Sequence, residues 1–246
     1  MKCLILAAGY ATRLYPLTEN FPKPLLKVGD KSILDWLVED IDSTGLVDGY
    51  VVISNHKFAH HFQEWAGTRS QKITVVDDGT STNETRLGAV RDIQYAIDKL
   101  GIDDELLVIA GDTILDFSLG RFLDYAKRKG TSCVMRFYVA DRTKLTKSGV
   151  LEVNDSDLIT DMVEKPAQPQ SNWCCPPFYF YTKADAGLVA KGIASGCGVD
   201  APGSYIAWLI TQTPVHAMLM PGKRFDIGDM ESYREACATY KGITER

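Results

Sequence analysis

Arg13 and Lys23 draw attention because of the residues around them. An apolar run of strand length, Cys3 to Leu6, stops at Ala7-Ala8-Gly9 and continues as Tyr10-Ala11-Thr12-Arg13-Leu14-Tyr15-Pro16. A buried parallel strand ends on small residues when the turn beyond it must let a ligand approach its backbone. Gly9 can take backbone angles closed to other residues. The amides of such a loop are donors suited to phosphate oxygens or a base edge. Arg13 adds a planar fork and Lys23 a mobile point charge. Pro22 and Pro24 bracket Lys23 and hold its segment extended. Each feature alone is an ordinary strand exit with solvated cations; together they point to an anion site.

A second set of candidates is acidic. The apolar run Leu106 to Ala110 stops at Gly111-Asp112-Thr113, with Asp116 following. A carboxylate at the end of a buried strand faces the ligand crevice and could hold a divalent cation, although Gly-Asp is equally a common turn. Asp226 lies between Phe225 and Ile227, where its charge needs a partner, and Asp229 reads as a helix cap. Glu164-Lys165-Pro166 closes a strand and, by residue type alone, is a strand exit with two solvated charges. Trp173 and Tyr179 could stack on a sugar or base, but core packing is the commoner use of such rings.

The elements that must position these residues alternate. Ser32 caps an expected helix to about Thr44, with Ile33, Leu34, Leu37, Val38 and Ile41 as its apolar stripe and Gly45 as its stop. Tyr50–Ser54 is an expected strand, Lys57–Ala66 a helix, Ile73–Val76 a strand, Glu84–Leu100 a long helix and Leu106–Ala110 a strand. In the second half Thr131–Val139 alternates like a strand, and Gly149–Val153 and Leu158–Glu164 form a hairpin around Asn154-Asp155-Ser156-Asp157. Phe178–Tyr181 is a further strand. Ala184–Ala194, Ser204–Gln212 and Asp229–Tyr240 are expected helices, with Pro214–Met220 extended. The expected class is α/β, a Rossmann-like, mostly parallel sheet with helices on both faces and a small β-rich, substrate-facing elaboration.

The chain has 246 residues, 45% hydrophobic and 24% charged, the composition of a soluble globular protein. The net charge of −5 argues against a general nucleic-acid or anionic-membrane binder. The first stretch nevertheless concentrates cations: Lys2, Arg13, Lys23, Lys27 and Lys31 stand against Glu19 and Asp30. No apolar run approaches a membrane span, and the start is too brief for a secretory signal. The six cysteines contain no Cys-x-x-Cys pair, so reduced thiols in a cytoplasmic protein are expected.

Leu6-Ala7-Ala8-Gly9, Thr12-Arg13-Leu14, Pro16-Leu17-Thr18 and Pro22-Lys23-Pro24-Leu25 resemble the signature of the sugar-phosphate nucleotidyltransferases, L-A-A-G-x-G-T-R-L-x-P-x-T followed by P-K-P. Gly111-Asp112, Glu164-Lys165-Pro166 and Phe225-Asp226-Ile227-Gly228 are similar to its later motifs. Ala11 departs from the usual glycine, and alanine disfavours positive φ, which puts the loop's detailed shape in question. The resemblance implies nucleotide-binding residues Leu6, Ala7, Ala8, Gly9, Tyr10 and Thr12, with Asp78, Gly79 and Gly88 beside the base. It implies catalytic Arg13, Lys23 and Lys165, and a Mg²⁺ held by Asp112 and Asp226. Gly149, Glu164 and Tyr179 would face the sugar. The chain then reads as one domain, 1–130 mainly for the nucleotide and 131–246 mainly for the sugar. Its length leaves no room for the C-terminal β-helix of some relatives, so a second acyltransferase activity is not expected.

The expected reaction joins a nucleoside triphosphate and a sugar 1-phosphate, giving a nucleotide sugar and pyrophosphate with Mg²⁺. The acceptor is already an anion, so no general base is required, and none of the four histidines is nominated. Two alternatives stay open: a cytidylyltransferase acting on a non-sugar phosphate such as phosphocholine, and a non-catalytic nucleotide-sugar sensor. The base, the sugar and homo-oligomerisation are not specified by sequence. A dinucleotide-binding oxidoreductase is disfavoured because the spaced glycines are missing after the first strand.

Overall fold

The structure is a computed structural model that describes residues 1–244. It begins with β1 (Lys2–Leu6), single 3-10 turns at Thr12–Leu14 and Lys23–Leu25, and the short strands β2 (Lys27–Val28) and β3 (Lys31–Ser32). Then α1 (Ile33–Ser43), β4 (Tyr50–Ser54), α2 (Ala59–Gly67), β5 (Ile73–Asp77), α3 (Ala89–Leu100) and β6 (Leu106–Ala110) alternate. They are followed by β7 (Thr113–Leu115), α4 (Gly120–Lys129), β8 (Ser132–Tyr138), α5 (Arg142–Leu145), β9 (Gly149–Val153), β10 (Ile159–Glu164), β11 (Trp173–Cys175) and β12 (Phe178–Tyr181). The chain closes through α6 (Lys183–Ala186), α7 (Val189–Ala194), α8 (Gly203–Leu209), β13 (Val215–Leu219), β14 (Arg224–Asp226) and α9 (Met230–Thr239). The class is α/β, as expected.

The chain forms two compact units: Met1–Arg86, Ile109–Arg121 and the residues from Pro221 on make the first, Leu87–Val108 and Phe122–Met220 the second. In the first unit β1, β4 and β5 are parallel neighbours, with Ile5 opposite Val52 and Val52 opposite Val75. Gly111 N donates to Leu6 O at 3.0 Å, which lays the exit of β6 beside the exit of β1. Leu4, Ile5, Val52 and Ile109 are fully buried, each such side chain contributing about 1.5–3 kcal/mol relative to exposure. The Ser32 hydroxyl accepts from Asp35 N while the Asp35 carboxylate accepts from Ser32 N, a reciprocal cap that starts α1. Asp229 and Ser232 make the equivalent cap at the start of α9.

The second unit is antiparallel along β10, β9, β11, β8 and β12, with β13 lying parallel to β8. The expected hairpin is present. Asn154 Oδ1 accepts from the amides of Ser156 and Leu158, and Asp157 takes the left-handed φ of 67° that the turn requires.

Two expectations are corrected, and one strand was not expected at all. The helix expected from Glu84 starts at Ala89, because Gly88 holds φ 92° and cannot continue a helical turn. Its buried face is Val90, Ile93 and Ala96, and Leu100 is left exposed. The helix expected over Ala184–Ala194 is two short helices interrupted at Gly187-Leu188. Strand β11 had no periodic signal, being three residues long with Trp173 only half-buried. All six cysteines are free thiols. Among the described residues no helix is long and apolar enough to cross a membrane.

Candidate active site

In the first unit β1 runs into an open loop that carries Gly9 to Arg13. The amides from Gly9 to Arg13 have no hydrogen-bond partner among the described residues. Asn55 Nδ2 donates to Ala8 O at 3.0 Å, pinning the loop to the exit of β4. Tyr10 is buried, and its hydroxyl donates to Thr80 O at 3.2 Å. The Tyr10 ring therefore joins two loops, leaving its amide for a ligand. Leu6, Ala7 and Ala8 line the buried side, and Gly9, Thr12 and Arg13 are exposed.

Positive φ falls on Ala11 (48°), not on Gly9. The alanine therefore keeps the left-handed conformation despite its Cβ. Its carbonyl accepts from Leu14 N at 2.9 Å and from the Thr18 hydroxyl at 2.8 Å, and these bonds hold the strained residue in place. A left-handed L-residue costs about 1–2 kcal/mol, while glycine loses about 0.5–1 kcal/mol through the unfolded chain. Ala11→Gly is therefore expected to raise unfolding free energy by up to ~1 kcal/mol, read from the urea midpoint. A lower midpoint would show that the alanine is unstrained.

Lys23 reaches Asp112 through packing that the sequence does not advertise. Gly111 has no side chain, and a Cβ there would lie 3.1 Å from Pro24 Cγ, so the proline after Lys23 seats directly on the exit of β6. Lys23 Nζ then sits 2.7 Å from Asp112 Oδ2 and 2.9 Å from Ile227 O. An ammonium has three donors, so one is left for a phosphate oxygen. Burial would raise the Asp112 carboxyl, but Lys23 and the Thr113 hydroxyl outweigh it and hold the group below the usual carboxylate range.

Asp226 comes from the strand whose backbone meets Asp112. In the antiparallel pair β7–β14 it is opposite Thr113, and Ile227 N donates to Asp112 O at 3.1 Å. Its Oδ2 accepts from Arg224 Nη1 at 3.2 Å. Mg²⁺ commonly takes one or two carboxylates and completes its octahedron with phosphates and water, so Asp112 and Asp226 are the residues that could hold it. No group of three or more His, Cys, Asp or Glu suited to a metal occurs among the described residues. Asp116 has a different task, accepting Lys223 N at 2.7 Å and closing the same ribbon. The Arg13 guanidinium lies beside Gly228, whose missing Cβ would be 3.8 Å from Nη2.

Asp78 and Gly79 follow β5. Asp78 is buried, its Oδ1 accepts from Thr80 N and Oγ1 at 2.7 Å, and its Oδ2 has no partner among the described residues. Burial pushes its carboxyl up.

The second unit brings together Gly149, Glu164 and Lys165. Gly149 is the cross-strand partner of Glu164 in the β9–β10 hairpin. A Cβ on Gly149 would come within 2.8 Å of Glu164 Oε2. Glu164 is half-buried and has no hydrogen bond or ion pair among the described residues. Burial raises its carboxyl, Lys165 opposes the rise and Asp200 adds to it. Lys165 holds φ 50° just before a proline, and its amide donates to Ser148 O at 3.1 Å. Such strain persists where surrounding structure over-determines it. Lys165 Nζ is 3.8 Å from Asp200 Oδ2. Tyr179 is buried, and its ring stacks on Tyr181, so it occupies a packing position. Gly88 is taken up in starting α3, since a Cβ there would meet Val199 O at 2.6 Å. Asn55, Asp200 and Gly203 were missed by sequence reasoning because no local pattern marks them.

A family model described as nucleotidyl transferase matches residues 2–242. The bifunctional protein GlmU of Methanocaldococcus jannaschii is 30% identical over 235 residues, covering 93% of this chain and 51% of that protein. The chain thus spans about half the length of that relative. UTP–glucose-1-phosphate uridylyltransferase AglF of Haloferax volcanii is 27% identical over 248 residues, covering 96% and 95%. A solved UDP-glucose pyrophosphorylase complexed with UDP-glucose has a TM-score of 0.84 at 22% identity, covering 97% of each chain, a likeness of fold.

Proposed function

We propose that this chain, which belongs to the nucleotidyl transferase family, joins a nucleoside triphosphate to a sugar 1-phosphate and releases pyrophosphate. The observation that supports the reading is the Lys23–Asp112 contact in the unit that also holds the open amide loop: the lysine would bind phosphate and the carboxylate a metal. An oxygen of the sugar phosphate attacks the α-phosphorus, a new P–O bond forms, and the bond to the pyrophosphate oxygen breaks. The nucleophile is already ionised, so no proton need be removed. Catalysis is charge neutralisation and alignment.

The loop amides and Arg13 hold the triphosphate and the charge growing at its α-phosphate. Lys23 keeps Asp112 ionised with one contact and offers its remaining donor to phosphate. Glu164 receives sugar hydroxyls, Gly149 leaves room beside it for that carboxylate, and Lys165 holds the acceptor phosphate. Mg²⁺ would be held by Asp112 and Asp226 and would supply neutralising charge between phosphate oxygens. The partners are thus a nucleoside triphosphate and a phosphorylated sugar.

A matrix of ATP, CTP, GTP, UTP and dTTP against phosphorylated acceptors, with and without Mg²⁺, tests this by pyrophosphate release. Release is expected with at least one sugar 1-phosphate and only with the metal. Release confined to phosphocholine would replace the sugar with a quaternary-ammonium acceptor, and no release with any pair would favour a binding protein.

The acceptor KM should depend on the protonation of Glu164. Its carboxyl titrates above the ordinary glutamate range, burial being the main cause, and only the ionised form accepts two hydroxyls well. As pH falls through that raised value, acceptor KM should rise, in a limb that Glu164→Gln abolishes. The effect on stability has the opposite sign. A carboxyl raised in the folded state contributes most below its unfolded pKa, and that contribution is lost as pH rises through the folded value. A limb retained in Glu164→Gln would assign it to another group.

A further inference from the structure

We infer that the segment Val199–Gly203 forms a wall of the acceptor site, with Gly203 as a positioning residue for the Glu164 carboxylate. The inference deepens the reading in which Glu164 receives the acceptor, and it rests on that reading. Gly203 is buried at the first position of α8. A Cβ built there would lie 2.1 Å from Glu164 Oε2 and 3.2 Å from both Glu164 Cδ and Met162 Cε. The carboxylate oxygen thus occupies the space where any side chain at 203 would begin. On another side the same oxygen meets Gly149, at 2.8 Å from its missing Cβ. Two bare backbones therefore confine one oxygen of a carboxylate that has no donor among the described residues.

The same segment reaches Lys165. Asp200 Oδ2 lies 3.8 Å from Lys165 Nζ, so both charged groups assigned to the acceptor meet residues of one short stretch. That stretch is anchored by its backbone. Ala89 N donates to Asp200 O at 3.1 Å and Val90 N to Val199 O at 3.0 Å, so two carbonyls satisfy the first amides of α3. Gly88 permits this approach, since any Cβ would strike Val199 O. A carboxylate partly removed from water without protein donors is unfavourable to the fold, and hydroxyls of a bound acceptor would supply those donors. The glycine keeps the carboxylate in the place where they can do so.

Gly203→Ala tests this. The clash falls on the far end of a flexible side chain, so the carboxylate can swing aside at small cost to the fold, and the thermal midpoint should stay within about 2 °C. Acceptor KM should rise about tenfold, the loss of one charge-assisted hydrogen bond, while triphosphate KM stays within about twofold. Adding Glu164→Asp to Gly203→Ala should recover part of the acceptor KM, because the shorter carboxylate clears the new methyl group. Gly192→Ala is the packing control. Its Cβ would lie 3.0 Å from Trp208 Cε3 and 3.1 Å from Tyr205 ring carbons, so it should lower the midpoint and leave acceptor KM unchanged. An unchanged acceptor KM in Gly203→Ala, or an equal rise in both KM values, overturns the inference.

Wild-type turnover of phosphocholine and no sugar phosphate would remove the reading above, and the KM comparison made with phosphocholine would still judge Gly203. With no turnover of any pair, calorimetric titration with glucose 1-phosphate takes its place. Equal affinity, or equal lack of binding, in wild type and Gly203→Ala then overturns the inference.

Discussion

Asp112→Asn should lower turnover by about a thousandfold, equivalent to ~4 kcal/mol of lost transition-state stabilisation. Triphosphate affinity should change by no more than about threefold, since the loop amides and Arg13 remain. Asparagine has nearly the same shape but no charge, so it can neither hold a hard cation strongly nor balance Lys23. The Asp112 and Lys23 side chains are 33% and 12% exposed. Leaving one partner of a buried pair alone costs about 3–5 kcal/mol, and the exposure of Asp112 brings the expected loss of stability nearer ~2 kcal/mol. The two effects separate by measurement: pyrophosphate release across a Mg²⁺ titration reports the first and urea unfolding the second. Turnover within about tenfold of wild type at saturating Mg²⁺ would remove Asp112 from the metal site. Stability should also fall in acid. A carboxyl held below its ordinary range contributes stability above its unfolded pKa, and this is lost as pH falls through the folded value.

Arg13→Ala should reduce kcat/KM by about a hundredfold to a thousandfold with almost no change in stability. Arg13 is exposed and makes no hydrogen bond or ion pair among the described residues. Its removal leaves no buried group unsatisfied, and surface changes of this kind are usually within about 0.5 kcal/mol. Arg13→Lys restores the charge but not the planar fork and should regain no more than about a tenth of the lost activity. Full recovery by lysine would mean that only net charge matters at this position. Activity unchanged by alanine would place the triphosphate elsewhere.

The two effects differ because the two side chains are held differently. Asp112 is part of a network, with Lys23, Thr113 and the backbone around Ile227 fixed to one another. Its replacement is felt by the fold as well as by the chemistry. Arg13 projects from a loop whose amides are also unpartnered among the described residues, and within the protein only the charge of Asp229 feels it, so its replacement is felt mainly by the ligand.

The amino-acid sequence by itself determined what depends on neighbouring residues. Apolar runs set β1, β4 and β6, Ser32 with Asp35 set the start of α1, and Asn154 to Asp157 set the hairpin turn, because strand pattern, capping and turn chemistry act over a few residues. The motif-bearing residues of the candidate site were visible for the same reason, since each lies in a short stretch of recognisable composition. Only the tertiary structure decided which of them meet. Lys23 finds Asp112 across 89 positions of chain, and strand register sets Asp226 opposite Thr113, with Ile227 bonded to Asp112. The start of α3 moved from Glu84 to Ala89 because Val199 approaches Gly88 from a distant part of the chain. Asp200 and Gly203 gained their roles through space left empty or a charge brought near. Volume and register are properties of packed elements, and local propensity does not encode them.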